Sequence, residues 1–203
     1  MRRLPALLLA GFALAGCGAP SGGGVSRIPV IPTTTAPPPR VAPASIDVPK
    51  IKAHSTLIPL GLNADGSLKV PDVKHPQQAS YFCVVDPDPA KICSNGVVPG
   101  EPGPAVVVGH IDGAKQKGVF YDLPKMAVGD TATITEADGK VLTFSAYRVL
   151  NIAKTQFPAS VVYGDTVGPE LRLISCTGTF VGGQMGYANN IIIFMALVPN
   201  PPA

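Results

Sequence analysis

Short stretches in which apolar and polar residues alternate, or in which Val, Ile, Thr and Phe dominate, recur along most of the chain. Such runs favour β-strands, because β-branched and aromatic side chains pack well on a pleated sheet. The runs are ASIDVPKI (44–51), AVVVGHI (105–111), TATITEA (131–137), KVLTFSAYRVLNIA (140–153), LRLISC (171–176) and NNIIIFMALV (189–198). Clusters of Gly and Pro separate them, and the pattern predicts a mostly β domain.

The turn signals refine this prediction. Asp138-Gly139 stands between two of the alternating runs, which is a strong signal for a β-hairpin. No stretch has the length and period of an amphipathic helix, and GVFYDLPKM (118–126) predicts a single helical turn. Many short strands separated by turns indicate a closed barrel or a sandwich.

The N-terminal segment has a different pattern. Arg2 and Arg3 precede an apolar stretch, LPALLLAGFALAG, that ends directly before Cys17. A short basic region followed by about 7–15 apolar residues is typical of a secretory signal. The last four residues, LAGC, resemble the signal of bacterial lipoproteins, in which a peptidase cuts before the cysteine and the thiol carries lipid. The alternative is an ordinary secretory signal with an incidental cysteine. We expect a signal peptide over 1–16 and a lipid on Cys17 that holds the protein at the outer face of the cell membrane.

Residues 17–44 are rich first in Gly and then in Pro, without an acidic residue. Such a segment cannot bury enough apolar surface to offset the entropy lost on ordering, so we expect an extended tether. The remainder, 45–203, is predicted to form one domain. The chain has 16 basic and 13 acidic residues, and two of the basic ones leave with the signal. Without a basic run, nucleic acid is not expected as a partner.

The four cysteines divide by position. Cys83 and Cys93 flank a short loop with two Asp-Pro steps, and in an oxidising exterior such a pair is predicted to form a disulfide. Two free thiols or a metal site are the alternatives. The metal alternative has little support, because there is no C-x-x-C spacing and His75 is the only histidine nearby. With Cys17 assigned to lipid, Cys176 is left over as an unpaired thiol, which is either a nucleophile or a buried side chain that packs like a valine.

A nucleophilic cysteine needs a base, since the unperturbed thiol pKa of about 8.5 leaves little thiolate at neutral pH. The candidates are His54, His75 and His110. The first two lie among polar residues. His110 ends a predicted strand, where barrel folds present reactive groups, and is the favoured base. The alternative for His110 is a structural hydrogen bond to Asp112.

Several stretches together resemble the sortase family, and within it the class F sortases of actinobacteria. They are LGLNADGSLKVP (60–71), PGEPGPAVVVGHID (99–112), GVFYDL (118–123), YGDT (163–166), PELRLISCTG (169–178) and YANNIIIFMAL (187–197). The resemblance spans about 44–197 and implies a single closed sortase-type β-barrel with short helical turns. It implies a cysteine transpeptidase that cleaves LPXTG-like sorting signals of surface proteins between Thr and Gly. The acyl group would pass to a peptidoglycan amine, another amine or water.

The resemblance also assigns residues. Cys176 is similar in position to the family's nucleophile, which forms a thioester, and His110 to its proton-transferring histidine. The family has an arginine on its final strand, whereas this chain has no Arg or Lys after Cys176. Asn190 holds the corresponding place and is a candidate oxyanion donor. Arg172 is the other candidate, although four strand residues separate it from Cys176, about 13 Å, and a barrel-wall ion pair is its alternative role.

A second departure is the lipid anchor, which would replace the N-terminal transmembrane helix of many sortases, and a third is an insertion. The segment CVVDPDPAKICSNG (83–96) is inserted relative to class F sequences, and it either rims the substrate groove or binds a partner. There is no acidic cluster like the calcium site of class A sortases, so no metal and no cofactor are expected. Two rival functions stay open: a sortase-fold binding lipoprotein without chemistry, and a transpeptidase acting directly on peptidoglycan, whose Ser-His-Gly-Cys motif is absent here.

Overall fold

The structure is a computed structural model, and it describes residues 40–88, 91–183 and 186–199. The predicted signal peptide (1–16), lipidated Cys17 and most of the predicted tether (17–44) lie outside the described residues. The strands are β1 (Pro43–Val48), β2 (Ala53–Leu60), β3 (Ala79–Phe82), β4 (Val84–Val85), β5 (Cys93–Asn95), β6 (Gly103–Gly109), β7 (Asp112–Gly113), β8 (Gln116–Lys117), β9 (Thr131–Glu136), β10 (Val141–Ala153), β11 (Pro169–Gly182) and β12 (Gly186–Leu197). Helical segments are three 3₁₀ turns (Pro49–Ile51, Leu123–Lys125 and Lys154–Gln156) and α1 (Ala159–Tyr163).

Eight strands close into a barrel in the order β1-β2-β3-β6-β11-β12-β10-β9. The pairs β2–β3 and β6–β11 are parallel, and the other pairs in the barrel are antiparallel. The mostly β closed barrel is therefore confirmed. Two small antiparallel ribbons, β4–β5 and β7–β8, lie outside this ladder.

Each of the six predicted runs contains a strand, and β9 and β10 form the predicted hairpin around Asp138-Gly139. The predicted helical turn is the 3₁₀ turn Leu123–Lys125. The pattern missed β2, β3 and α1, and also the short strands β4, β5, β7 and β8. β1 begins at Pro43, two residues before the predicted domain boundary.

Alternation along β11 separates an inner core from a second apolar layer. Leu171 and Leu173 point into the barrel and are fully buried in its core. Ile174 belongs to a separate buried cluster on the outer face with Ile192, Phe194 and Val162 of α1. The connection between β10 and β11 thus covers the outside of the barrel wall, and Cys176 continues the outward-facing series of β11.

The predicted disulfide is confirmed: Cys83 and Cys93 are joined, with an S–S distance of 2.04 Å. Both cysteines are buried, and the bond closes the inserted loop against the barrel core. Cys176 is a free thiol. Over the described ranges, no helix is both long and apolar enough to cross a membrane.

Candidate active site

Cys176 lies in the ladder between β11 and β12, one residue before the register of that ladder shifts. Its direct cross-strand partner on β12 is Asn190. Directly opposed residues on antiparallel strands have Cβ atoms about 4.5–5.5 Å apart, so the amide side chain stands beside the thiol. Both residues are partly exposed, and the residues on either side of Cys176 are buried. The thiol is therefore held on a rigid strand at the surface of the barrel.

His110 follows β6, which pairs with β11 on the side opposite β12. His110, Cys176 and Asn190 lie level with one another across these strands, and we call them the Cys176 row. β6 and β11 are parallel, with Leu173 opposite Val107 and Ile174 opposite Val108. The buried Ser175 hydroxyl donates a hydrogen bond to the Gly109 carbonyl, 2.9 Å, and so ties the residue before Cys176 to the residue before His110. Continuing this register brings His110 level with Cys176, and neighbouring strands are about 4.8 Å apart.

The His110 imidazole is oriented by a backbone carbonyl. Its Nε2 lies 2.6 Å from the Pro71 carbonyl oxygen. A carbonyl only accepts hydrogen bonds, so Nε2 carries a proton and Nδ1 is the atom that can exchange one. Asp112, the alternative partner of His110, accepts a hydrogen bond from the Tyr187 hydroxyl.

The residues around His110 explain two glycines of the GHID and GVFYDL stretches. The Phe120 amide donates to the His110 carbonyl, 3.0 Å, so the chain after Gly118 folds back on the histidine. A Cβ at Gly118 would lie 2.1 Å from the His110 carbonyl oxygen, and one at Gly109 would lie 2.7 Å from the Phe120 ring. Glycine at both places permits this close packing.

A groove of about 720 Å³ begins at Asn190 and runs along the outer face of the barrel. Pro104 and Val106 of β6 form its floor. One wall is the β10–β11 connection, with Lys154, Phe157, Tyr163 and Asp165. The other wall is the loop after β2 (Leu62, Gly66, Ser67 and Leu68) together with Phe82 and the end of the inserted segment (Asn95, Gly96 and Val97). The groove has mainly apolar walls and lies beside the Cys176 row.

On the other side of the row, the two hairpins β7–β8 and β11–β12 meet around a shallow surface. It is formed by Asp112, Lys115, Lys117, Tyr121, Phe180 and Tyr187. The Tyr187 hydroxyl donates to the Asp112 carboxylate, and this bond raises the pKa of Tyr187 to about 12. Phe180 and Tyr187 pack edge to face with ring centroids 5.2 Å apart. The groove thus reaches Asn190, and the shallow surface includes Asp112, two residues after His110, and Tyr187, three residues before Asn190.

Arg172 does not reach the thiol. It is 2% exposed, and its Nη1 lies 2.6 Å from a carboxylate oxygen of Glu170. Its guanidinium stacks on the Phe194 ring at 4.6 Å, and the Tyr147 hydroxyl donates to the same Glu170 oxygen at 2.5 Å. This is the ion-pair arrangement of the barrel wall, four residues from Cys176.

The other two histidines lie elsewhere, since His54 pairs with Asp47 at 2.7 Å on the exposed face of β1 and β2, and His75 lies in the β2–β3 connection. Within the described part of the chain, no group of three or more His, Cys, Asp or Glu residues is placed to hold a metal.

One family profile, described as the sortase domain, matches residues 46–198. The chain belongs to the sortase family. No curated protein sequence matches the chain.

Solved structures show the same fold. Sortase C1 of Streptococcus agalactiae, in complex with MTSET, is 18% identical, covering 78% of this chain and 68% of that one with a TM-score of 0.54. Sortase A of Corynebacterium diphtheriae is also 18% identical, covering 80% of this chain and 63% of that one, with a TM-score of 0.55. A sortase D5 transpeptidase of Clostridium perfringens is 19% identical, covering 78% and 79%, with a TM-score of 0.53.

Sequence reasoning missed three features of the site. Two of them are the hydrogen bonds of Ser175 to the Gly109 carbonyl and of His110 to the Pro71 carbonyl, which are not visible before the strands are paired. Lys154 brings a cation into the groove that Asn190 also lines, although the sequence after Cys176 contains none. A lysine after a strand is an ordinary surface residue by pattern, so no signal marked it.

Proposed function

We propose that this sortase-family protein is a cysteine transpeptidase that cleaves LPXTG-like sorting signals between Thr and Gly. The observation that supports this best is the single row formed by His110, Cys176 and Asn190, whose Asn190 also lines a mainly apolar groove of about 720 Å³. A nucleophile, a proton carrier and a hydrogen-bond donor on rigid strands are the parts that acyl transfer requires.

In the proposed first step, His110 Nδ1 takes the thiol proton and the Cys176 sulfur attacks the Thr carbonyl carbon. A carbon–sulfur bond forms, and the tetrahedral intermediate collapses with cleavage of the carbon–nitrogen bond. The imidazolium gives its proton to the leaving glycine amine. The product is a thioester between Cys176 and the Thr carbonyl.

In the second step, an amine or water enters on the hairpin side, and His110 Nδ1 takes its proton as it attacks the thioester carbon. The carbon–sulfur bond breaks and Cys176 is regenerated as a thiolate that regains the proton from His110. The groove holds the acyl peptide on one side of the row, so the shallow surface between the hairpins is the route for the leaving amine and the acceptor.

We assign oxyanion stabilisation to the Asn190 amide, which is the side chain directly opposite Cys176. A preorganised neutral donor aimed at a developing oxyanion lowers the barrier, because it needs no reorganisation during the reaction. Arg172 is assigned a structural role instead, since its charge is paired with Glu170 and covered.

The protein is proposed to act outside the cytoplasm, held at the outer face of the membrane by lipid on Cys17 and a tether. The LAGC sequence and the Gly- and Pro-rich segment support this proposal. The stretches shared with class F sortases support assignment to that class. Intact mass of the chain extracted from cells tests the anchor: a chain that starts at Cys17 and carries lipid is expected, and an unmodified cysteine contradicts it.

Intact mass also tests the chemistry. The full chain is incubated with an LPXTG peptide, with and without an amine acceptor, beside Cys176→Ala. We expect a mass gain equal to the peptide up to Thr, which is discharged by the amine and is absent in the variant. Peptide binding without any adduct or cleavage would contradict the enzyme and favour the rival, a sortase-fold binding lipoprotein, for which the missing arginine is the supporting observation.

A further inference from the structure

The inserted segment between β3 and β6 forms part of the groove wall. Asn95, Gly96 and Val97 line the groove and begin two residues after the disulfide cysteine Cys93. A Cβ at Gly103, where β6 begins, would lie 3.0 Å from a methyl carbon of Val97, so this valine packs against the start of the groove floor. The wall and the floor are in contact at the end farthest from Cys176.

The disulfide fixes this wall where the local secondary structure is weak. β4 and β5 are two and three residues long, and a ribbon of that size is marginal by itself. Cys83 and Cys93 are 1% and 5% exposed, so their bond anchors the ribbon to the barrel core. Arg40 adds a hydrogen bond to the Cys93 carbonyl, 3.4 Å, and an ion pair with Glu101, 2.8 Å.

The position of the wall along β6 sets which part of a peptide it meets. Val106 and Pro104 precede His110 by four and six residues. At about 3.3 Å per residue, the floor beside them lies roughly 13 and 20 Å from the reacting row. An extended peptide advances by a similar distance per residue, so the wall meets residues about four to six positions before the cleaved bond.

We propose that the disulfide-tied insertion recognises apolar residues of the substrate at and beyond the N-terminal end of the sorting motif. The proposal rests on the proposed function, because it takes the groove as the peptide site. Val97 lies at the end of the groove where β6 begins, and Phe82 and Tyr163 add further apolar surface to its lining. Longer peptides with an apolar residue just before the motif are therefore bound more tightly than the five-residue motif alone.

The test measures peptide binding in the full chain carrying Cys176→Ala, so that it does not depend on catalysis. One peptide is LPXTG and the other has three more residues, including Val, at its N-terminus. We expect the longer peptide to bind at least fivefold more tightly, and Val97→Ser to remove most of this preference by loss of apolar contact. Val85→Ser is the matched control, since Val85 lies on β4 in the same insertion, is exposed and does not line the groove.

Equal affinity for the two peptides, or an equal loss in both serine variants, would overturn the inference. Binding of neither peptide would overturn it too. A thermal unfolding curve for each variant separates loss of contact from loss of the fold. If the longer peptide binds better but the chain with Cys176 cleaves neither peptide, the inference stands and the proposed chemistry fails.

Discussion

At the scale of single residues, the unusual feature of the site is an amide opposite the thiol. Sortases resembled by the sequence have an arginine on the corresponding strand, whereas Asn190 is uncharged and pairs directly with Cys176. The neighbouring asparagine has a different task, because the Asn189 amide donates to Asn151 on β10, 3.0 Å. Asn190, the proposed oxyanion donor, can therefore be compared with Asn189, whose amide bonds only a neighbouring strand.

We expect Asn190→Ala to lower kcat about 10²- to 10³-fold, since it removes a donor to the oxyanion. Asn190→Asp should lower kcat further, because a carboxylate keeps the size but repels the developing charge. Steady-state kinetics with an LPXTG peptide measures both. Asn189→Ala serves as the control and should stay near the wild-type kcat, and equal losses at the two positions would show that Asn190 acts only through the strand.

The candidate site residues were predictable to different degrees. Cys176 followed from cysteine parity and His110 from its place at a strand end. The orientation of His110 was not predictable, because its partner, the Pro71 carbonyl, belongs to a loop 39 residues earlier. Arg172 was a candidate on spacing alone, and only the paired strands reveal that Glu170 and Phe194 enclose its charge.

At the scale of elements, the sequence predicted strands wherever the apolar pattern was strong and missed them where polar residues are buried. β2 has the sequence AHSTLIPL, in which the inward-facing residue Ser55 is polar. Its burial is tolerated because the hydroxyl accepts a hydrogen bond from the Ala79 amide, 2.9 Å. β3 has four residues and α1 has five, too few for a periodic signal. Their existence depends on pairing and packing with distant strands.

The segment that begins at Gly118, directly after β8, packs against the His110 carbonyl and so holds the backbone of the histidine in place. Because a Cβ at Gly118 would collide with the His110 carbonyl, Gly118→Ala should displace the His110 backbone. We expect kcat/KM to fall at least tenfold, since misplacement by about 1 Å can cost 10²-fold. Activity is measured well below the unfolding temperature. Gly168→Ala is the control, as it has an unstrained backbone and nothing within 4 Å of its added carbon, and a similar loss there would refute the explanation.

At the scale of the whole molecule, the residues that stabilise the barrel lie in its interior, whereas the candidate site residues lie on its outer face. Its interior is filled by apolar side chains, including Val107, Leu173 and Ile193, whose strands also carry the outward-facing site residues. The groove and the shallow surface, which we propose bind the substrates, are lined mainly by the connections between strands. Loops tolerate changes in sequence better than the strands that they connect. The loops and the insertion can therefore differ among sortases without a change in the geometry of the Cys176 row.

The Tyr187–Asp112 hydrogen bond links two hairpins, so it makes folding stability depend on pH. The pKa of Tyr187 is raised to about 12 in the folded protein from an ordinary value near 10. Stabilisation by a raised pKa is complete below pH 10 and is lost as the pH rises towards 12. We expect Tyr187→Phe to lower the free energy of unfolding by about 1 kcal/mol at pH 8, with the difference from wild type shrinking between pH 10 and 12.

Denaturant unfolding at several pH values measures this difference in stability, with Tyr121→Phe as control. Burial also raises the pKa of Tyr81 and Tyr163 above the ordinary value near 10, so wild type and variant both lose stability as the pH rises beyond 10. A difference that stays constant from pH 8 to 12 would show that the hydroxyl contributes nothing through Asp112.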